Sequence, residues 1–407
     1  MSAPGHERRE SGISPLFSMT IITLAILYVA YDTVWGLPPR ANDYAIGRDF
    51  VNMWTGARFA LSGDISTLFD WPLYVASQRA AFWPELAIHN WSYPPHVLLF
   101  TWPLGFFPYP VALALWDILG LTALFLAIRL ALRTVEPPQR LWLTVAAMGA
   151  PVVAYNIVLG QFGLFIGALC ITAWTLRKER PIIAGLLIGI LTIKPHLGLL
   201  WPVLLLLERR FTVIASAAAT TVALVVATSL IFGWSVFPDY LAYAAPTQSM
   251  ILVNTDLLAV NPTPMMIARA FGLPAEAGIW FIAVVAPIAF AAFLYVQWAK
   301  VEDTVKFAMF GATTFLILPY AFTYDSTILI VPLVLLLERA SQTGPRLILM
   351  ACYFLPLLGM ASPPLHVPLA VVGLMALAVL LVTVSRPLSR DRCREPASVA
   401  RVPDPLA

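Results

Sequence analysis

The chain has 407 residues, 60% of them apolar and only 12% charged, with a mean hydropathy of +0.81 and a formal net charge of +3. A soluble chain carries about 45–50% apolar and about 25% charged residues, so this one lacks the polar side chains to coat a water-soluble body and reads as an all-α polytopic membrane protein. Three cysteines and five scattered histidines give neither a disulfide framework nor a metal-ligand spacing, and phosphate-loop and dinucleotide glycine motifs are absent, which excludes an ATP-driven pump and a dinucleotide enzyme.

Residues 1–14 are polar, include Arg8 and Arg9, and read as a cytoplasmic segment. The apolar run from Pro15 to Trp35 is too long for a signal-peptide core and lacks a small-residue cleavage site, so it reads as a retained first span. The stretch 36–93 carries Arg40, Arg48, Arg58 and Arg79 against Asp43, Asp49, Asp64 and Asp70. Its pieces 51–61 and 72–88 are rich in aromatic residues and predict amphipathic helices at a membrane interface.

Apolar segments then recur from 94 to 384, several shorter than the ~20 residues a span needs. The segment 182–207 is broken at Lys194-Pro195, where proline removes a helix donor. A second long loop, 233–275, holds Pro238, Pro246, Pro262 and Pro264. The pattern predicts roughly 11–13 membrane segments within 15–384, followed by a basic cytoplasmic tail, 385–407, with Arg386, Arg390, Arg392, Arg394 and Arg401.

Charge distribution selects a topology. If every apolar segment crosses once, Lys and Arg split 13 against 11 between the two sides, which is almost no bias. If 94–108 is re-entrant and 182–207 dips in and out at Lys194, the split becomes 19 against 5, as the positive-inside rule favours. Both long loops, Gln161 and Lys194 then share the outer side. A weak internal echo agrees: WPVLLLLERR (201–210) resembles IVPLVLLLERA (330–340). It places Lys194 and Asp325 each about 20 Å along a helix from an inner-face Glu-Arg pair.

Lys194 has no acidic neighbour in sequence, and an ammonium at membrane depth is a functional candidate. It either binds an anion such as a lipid phosphate, snorkels, or pairs internally. Asp49 precedes an interfacial helix and suits a general base, although an N-cap or a solvated loop carboxylate has the same pattern. Tyr93-Pro94-Pro95 opens the re-entrant piece, where the prolines fix an extended entry. Gly160-Gln161 interrupts an apolar hairpin and offers an amide to a phosphate or a sugar hydroxyl, or to helix packing. Tyr324-Asp325 sets a carboxylate near the outer end of a span, with an interfacial Tyr and an N-cap Asp as the plain alternative. Arg48 and His196 complete the substrate-binding candidates.

The ordered set Gly47-Arg48-Asp49-Phe50 with Trp54 and Gly63, Tyr93-Pro94-Pro95 with Trp102-Pro103-Leu104, Gly160-Gln161, Ala184-Gly185, Ile193-Lys194-Pro195 and Pro319-Tyr320 with Tyr324-Asp325 resembles glycosyltransferase family 87. These are polytopic enzymes of the GT-C superfamily related to mycobacterial polyprenol-phosphate-mannose-dependent mannosyltransferases. The resemblance covers about residues 15–340. It implies an inverting transferase that moves a hexose, mannose-like, from a polyprenyl-phosphate sugar to a lipid-linked or glycan acceptor. The site would face the outside of the cytoplasmic membrane, with no metal, cofactor or nucleic-acid partner. It assigns the base to Asp49. Mycobacterial members carry Ser-Trp-x-His near the end of a late span, whereas this chain has Phe322-Thr323-Tyr324-Asp325, which leaves sugar and acceptor open. The competing reading, from another class, is a secondary transporter or lipid flippase coupled through Lys194 and Asp325.

Overall fold

A computed structural model describes residues 13–35, 45–254 and 257–386. The loop positions Arg40 and Asp43, the first twelve residues and the basic tail beyond Arg386, with Cys393, lie outside them. Among the described residues every element is helical, as composition predicts. Four helices are long and apolar enough to cross a membrane: Pro15–Val34, Tyr109–Ala131, Phe211–Phe232 and Ala275–Trp298. Two bent pairs pass the same test as single spans, Pro137–Met148 with Pro151–Leu159 at 42° and Thr343–Tyr353 with Leu355–Leu365 at 86°. Shorter apolar helices, Gly163–Leu176, Pro181–Ile193, Pro195–Leu207 and Leu369–Val384, fill the interior. Long helices and short ones differ in exposure. Phe211–Phe232 buries few side chains, whereas nine of Gly163–Leu176 are buried.

Short helices run between two polar poles. At one pole, Arg177, only 1% exposed, reaches Glu208 Oε1 at 2.9 Å and Asp303 Oδ1 at 2.7 Å. Its guanidinium also stacks over Trp174 at 4.0 Å. Arg133 pairs with Glu179 and Arg339 with Glu302, while Glu338 accepts from Gln139 and from the Ile13 amide, each at 2.6 Å. The start of Gly163–Leu176 lies at the opposite pole, where the Gly163 carbonyl accepts from Thr327 Oγ1 at 2.6 Å. One short helix therefore joins the two ends.

The two segments that the charge count reads as turning back, 94–108 and 182–207, are both broken into short helical pieces. The segment 94–108 forms no long helix. It coils through short turns, Pro95–Val97, Leu98–Thr101 and Trp102–Phe106. Both its flanks return to the helix Phe50–Ser62, through Asn52 to the Asn90 carbonyl at 2.8 Å and Trp54 to the Phe107 carbonyl at 3.0 Å. The segment 182–207 turns back at Lys194 between two 3-10 turns, so Arg177 and Glu208 meet again at the first pole. Phe211–Phe232 runs closely along Pro181–Ile190 because Gly185 and Gly189 face Ser216 and Thr220. A Cβ on either glycine would sit 2.4–2.5 Å from the facing Cβ, the small-residue packing that substitutes for hydrophobic drive in lipid.

The loop helices differ in detail from the sequence pattern. Phe50–Ser62 is not half-exposed at an interface, because Phe50, Val51, Met53, Gly56 and Ala57 are buried. The second helix, Trp71–Ala81, starts from an Asp70 cap onto the Leu73 amide at 3.1 Å. It ends before residue 88, ahead of Pro84, whose ring disfavours helical geometry at the preceding residue. The loop 233–275 contains a helix, Val236–Asn254, with Pro246 inside it.

Candidate active site

Two left-handed turns interlock at the second pole. Gly47 and Arg48 have φ of 73° and 29°, and Gly160 has φ of 60°. A Cβ on Gly160 would lie 2.5 Å from the Phe50 Cβ and 2.9 Å from the Gly47 carbonyl oxygen; only glycine permits this approach. The Asp49 amide donates to the Leu159 carbonyl at 3.1 Å, which fixes one turn on the other. Asp49 occupies the N-cap position of Phe50–Ser62, yet its side chain makes no cap hydrogen bond. Its Oδ2 instead accepts from Gln161 Nε2 at 2.6 Å. The plain N-cap reading of Asp49 therefore fails, while the helix start still favours a negative charge there.

A cavity of about 560 Å³ opens beside this pair. Arg48, Asp49, Tyr93, Gln161, Lys194, His196 and Tyr324 all line it, so seven of the eight residues singled out from sequence converge. The eighth, Asp325, is wholly buried behind the wall. Its Oδ1 accepts from Lys194 Nζ at 2.7 Å, and its Oδ2 has no protein partner among the described residues.

Of the three alternatives open for Lys194 from sequence, this pair is the internal one, and its partner is the Asp325 that the competing reading coupled to it. The partner comes from 131 positions away, beyond any local sequence window. Lys194 also lies 4.6 Å from the Tyr324 ring centroid. One of its three N–H donors is committed to Asp325, and two remain. Arg48 likewise has a partner, Asp32 of the first helix, at 2.6 Å, while still lining the cavity. Gln161 faces Asp49 directly. His196 leaves Nε2 without a protein partner among the described residues and packs against Tyr320 at 4.9 Å.

Several residues in the site carried no sequence signal strong enough to single them out. Asn156 is fully buried and donates to the Tyr324 carbonyl at 2.8 Å, which orients that loop; its one clue is an amide inside an apolar run. Asn52, His89, Asn90, Tyr155, Tyr240 and Tyr320 also line the cavity. Burial pushes the His89 imidazole below its usual value, and the Asp49 charge opposes that only in part. A smaller apolar cavity of about 200 Å³ lies between the first helix and the bent pairs, and Tyr155 forms part of both walls.

Fold and site together define a polytopic membrane protein with an acidic and a cationic group on one open cavity. Glycosyltransferase family 87 matches residues 91–319, more than half of the chain, and the protein belongs to that family. It is therefore a transferase that takes a sugar donor and an acceptor, not a transporter. The matched span holds Tyr93, Gln161, Lys194 and His196, whereas Arg48, Asp49, Tyr324 and Asp325 fall outside it. No curated protein and no solved structure matches the chain.

Proposed function

We propose that this chain transfers a hexose, with inversion, from a polyprenyl-phosphate sugar to a hydroxyl of a lipid-linked or glycan acceptor at the outer face of the cytoplasmic membrane. The observation that carries this reading is that Asp49 and Lys194 line one cavity, with Asp49 its only carboxylate among the described residues. A single displacement needs one base, whereas a double displacement needs a second carboxylate as nucleophile. Asp325 is wholly buried and is held by Lys194, so it does not supply one.

Asp49 takes the proton of the acceptor hydroxyl as its oxygen attacks the anomeric carbon. The bond from that carbon to the phosphate oxygen breaks, and prenyl monophosphate leaves. The free Lys194 donors stabilise the charge that develops on the phosphate. Asp325 holds Lys194 in place, and the Tyr324 face lies against its ammonium. The apolar cavity that shares Tyr155 offers the first isoprene units a dry surface beside the chamber.

The test is single-turnover transfer from a panel of radiolabelled polyprenyl-phosphate hexoses by native protein and by Asp49→Asn. Loss of a positioned base costs ~10²–10⁴-fold in rate, while binding of polyprenyl monophosphate should survive. Native turnover by Asp49→Asn, or no turnover of any donor by native protein, would sink the assignment.

A further inference from the structure

The sequence places Gln161 among the donor-binding side chains, but its amide is occupied on both sides. Oε1 accepts from the Tyr93 hydroxyl at 3.3 Å and from the Phe162 amide at 3.4 Å. The Phe162 amide can only donate and the Asp49 carboxylate can only accept, so these two fix which end of the amide is oxygen, and the Tyr93 hydroxyl donates to it. Nε2 must then point the other way, and there it meets Asp49 Oδ2 at 2.6 Å. Gln161 is 5% exposed and Tyr93 is 9% exposed, so water competes little for these bonds.

We propose that Gln161 is the positioning residue of the reaction, held by Tyr93 and Phe162 so that it aims the Asp49 carboxylate into the chamber, and that it does not contact the donor. The inference rests on Asp49 as the base. With Oδ2 pinned, Oδ1 is left to receive the acceptor proton, and rotation of the carboxylate is blocked. The backbone repeats the constraint through the Asp49 amide and the Leu159 carbonyl. The base is thereby fixed to the hairpin turn at 160 as well as to its own helix. One contact from that turn holds the Asp49 side chain and the other its backbone, although Asp49 belongs to a different element.

Two substitutions separate this from a packing or donor-binding role. Gln161→Glu keeps the shape but replaces the donor with an acceptor facing Asp49. Gln161→Met keeps the volume and removes both bonds. Each should lower kcat by about 10–10²-fold, the scale of a misplaced reacting group. KM for the donor, and binding of polyprenyl monophosphate, should change less than about threefold, because the lost term lies in the transition state. In an Asp49→Asn background, either change should add almost nothing, since residues acting as a unit are non-additive. Tyr93→Phe, which frees the amide to turn, should show a smaller loss in kcat with the same unchanged KM, and it serves if the Gln161 variants do not fold.

A near-native Gln161→Glu beside an impaired Gln161→Met would reduce the residue to packing. A raised KM with kcat retained would return it to the donor site. Additive losses in the Asp49→Asn background would break the link to the base. Failure of the base itself is distinct, because Asp49→Asn would then turn over normally whatever Gln161 does.

Discussion

Lys194 Nζ donates to Asp325 Oδ1 across 2.7 Å, and the two positions begin the two helical stretches that echo each other in sequence. The echo extends to their far ends, where Glu208 meets Arg177 and Glu338 meets Gln139. Two similar stretches therefore meet through this pair, each with a polar group at one end and a glutamate at the other pole. A buried pair of this kind contributes little net stability over an apolar pair, but breaking it is costly.

Lys194→Met should leave Asp325 wholly buried without its cation and cost about 3–5 kcal/mol. Lys194→Met combined with Asp325→Leu should recover most of that loss while remaining inactive. Thermal unfolding in detergent measures both. If the single variant is as stable as native protein, the pair does not hold the two stretches together.

Gly160→Ala tests the interlocked turns. A non-glycine residue at φ of 60° costs ~1–2 kcal/mol from the backbone alone. The new methyl must also push Phe50 away, which moves Asp49. The expected result is modest destabilisation with a disproportionate loss of turnover. Equal, small losses in both would show that the turn is not what places the base.

His89 makes stability pH-dependent. Burial holds its folded value below the ordinary 6.5, so between those values the unfolded chain binds more protons than the folded one. Stability from this residue is full above about 6.5 and falls as pH drops toward the lowered folded value. His89→Gln should flatten that part of the profile. Unfolding temperatures from pH 7.5 to pH 5 for the two proteins provide the comparison, and parallel curves would remove His89 as the cause.

Orientation is the fourth prediction. In protein lacking Cys170, Cys352 and Cys393, a cysteine at Glu85 should react with an impermeant thiol reagent from outside. A cysteine at Lys178 should react only after the membrane is opened. Both positions are exposed, and they lie on opposite poles, Glu85 in the chamber loop and Lys178 beside Arg177 and Asp303. The reverse labelling would turn the chamber to the cytoplasm.

Composition alone determined that this chain is helical and lives in a membrane, because 12% charge cannot clothe a soluble surface. The spacing of Lys and Arg pointed to two breaks in the apolar runs, at 94–108 and at Lys194, since each crossing moves a block of charge from one side to the other. Polar residues out of place in apolar runs, such as Gln161 and Lys194, were legible for the same reason: the membrane makes each of them costly. Their partners were legible only as alternatives, with Asp325 one candidate for Lys194 and none for Gln161. Whether Lys194 faces a phosphate or a carboxylate, and whether Gln161 faces a donor or Asp49, depends on contacts between positions 131 and 112 residues apart. No local pattern encodes which helix ends meet at a pole. Packing decided that, through the glycine at 160 and the reversal at Lys194, and with it decided which charges are paired and which side chain aims the base.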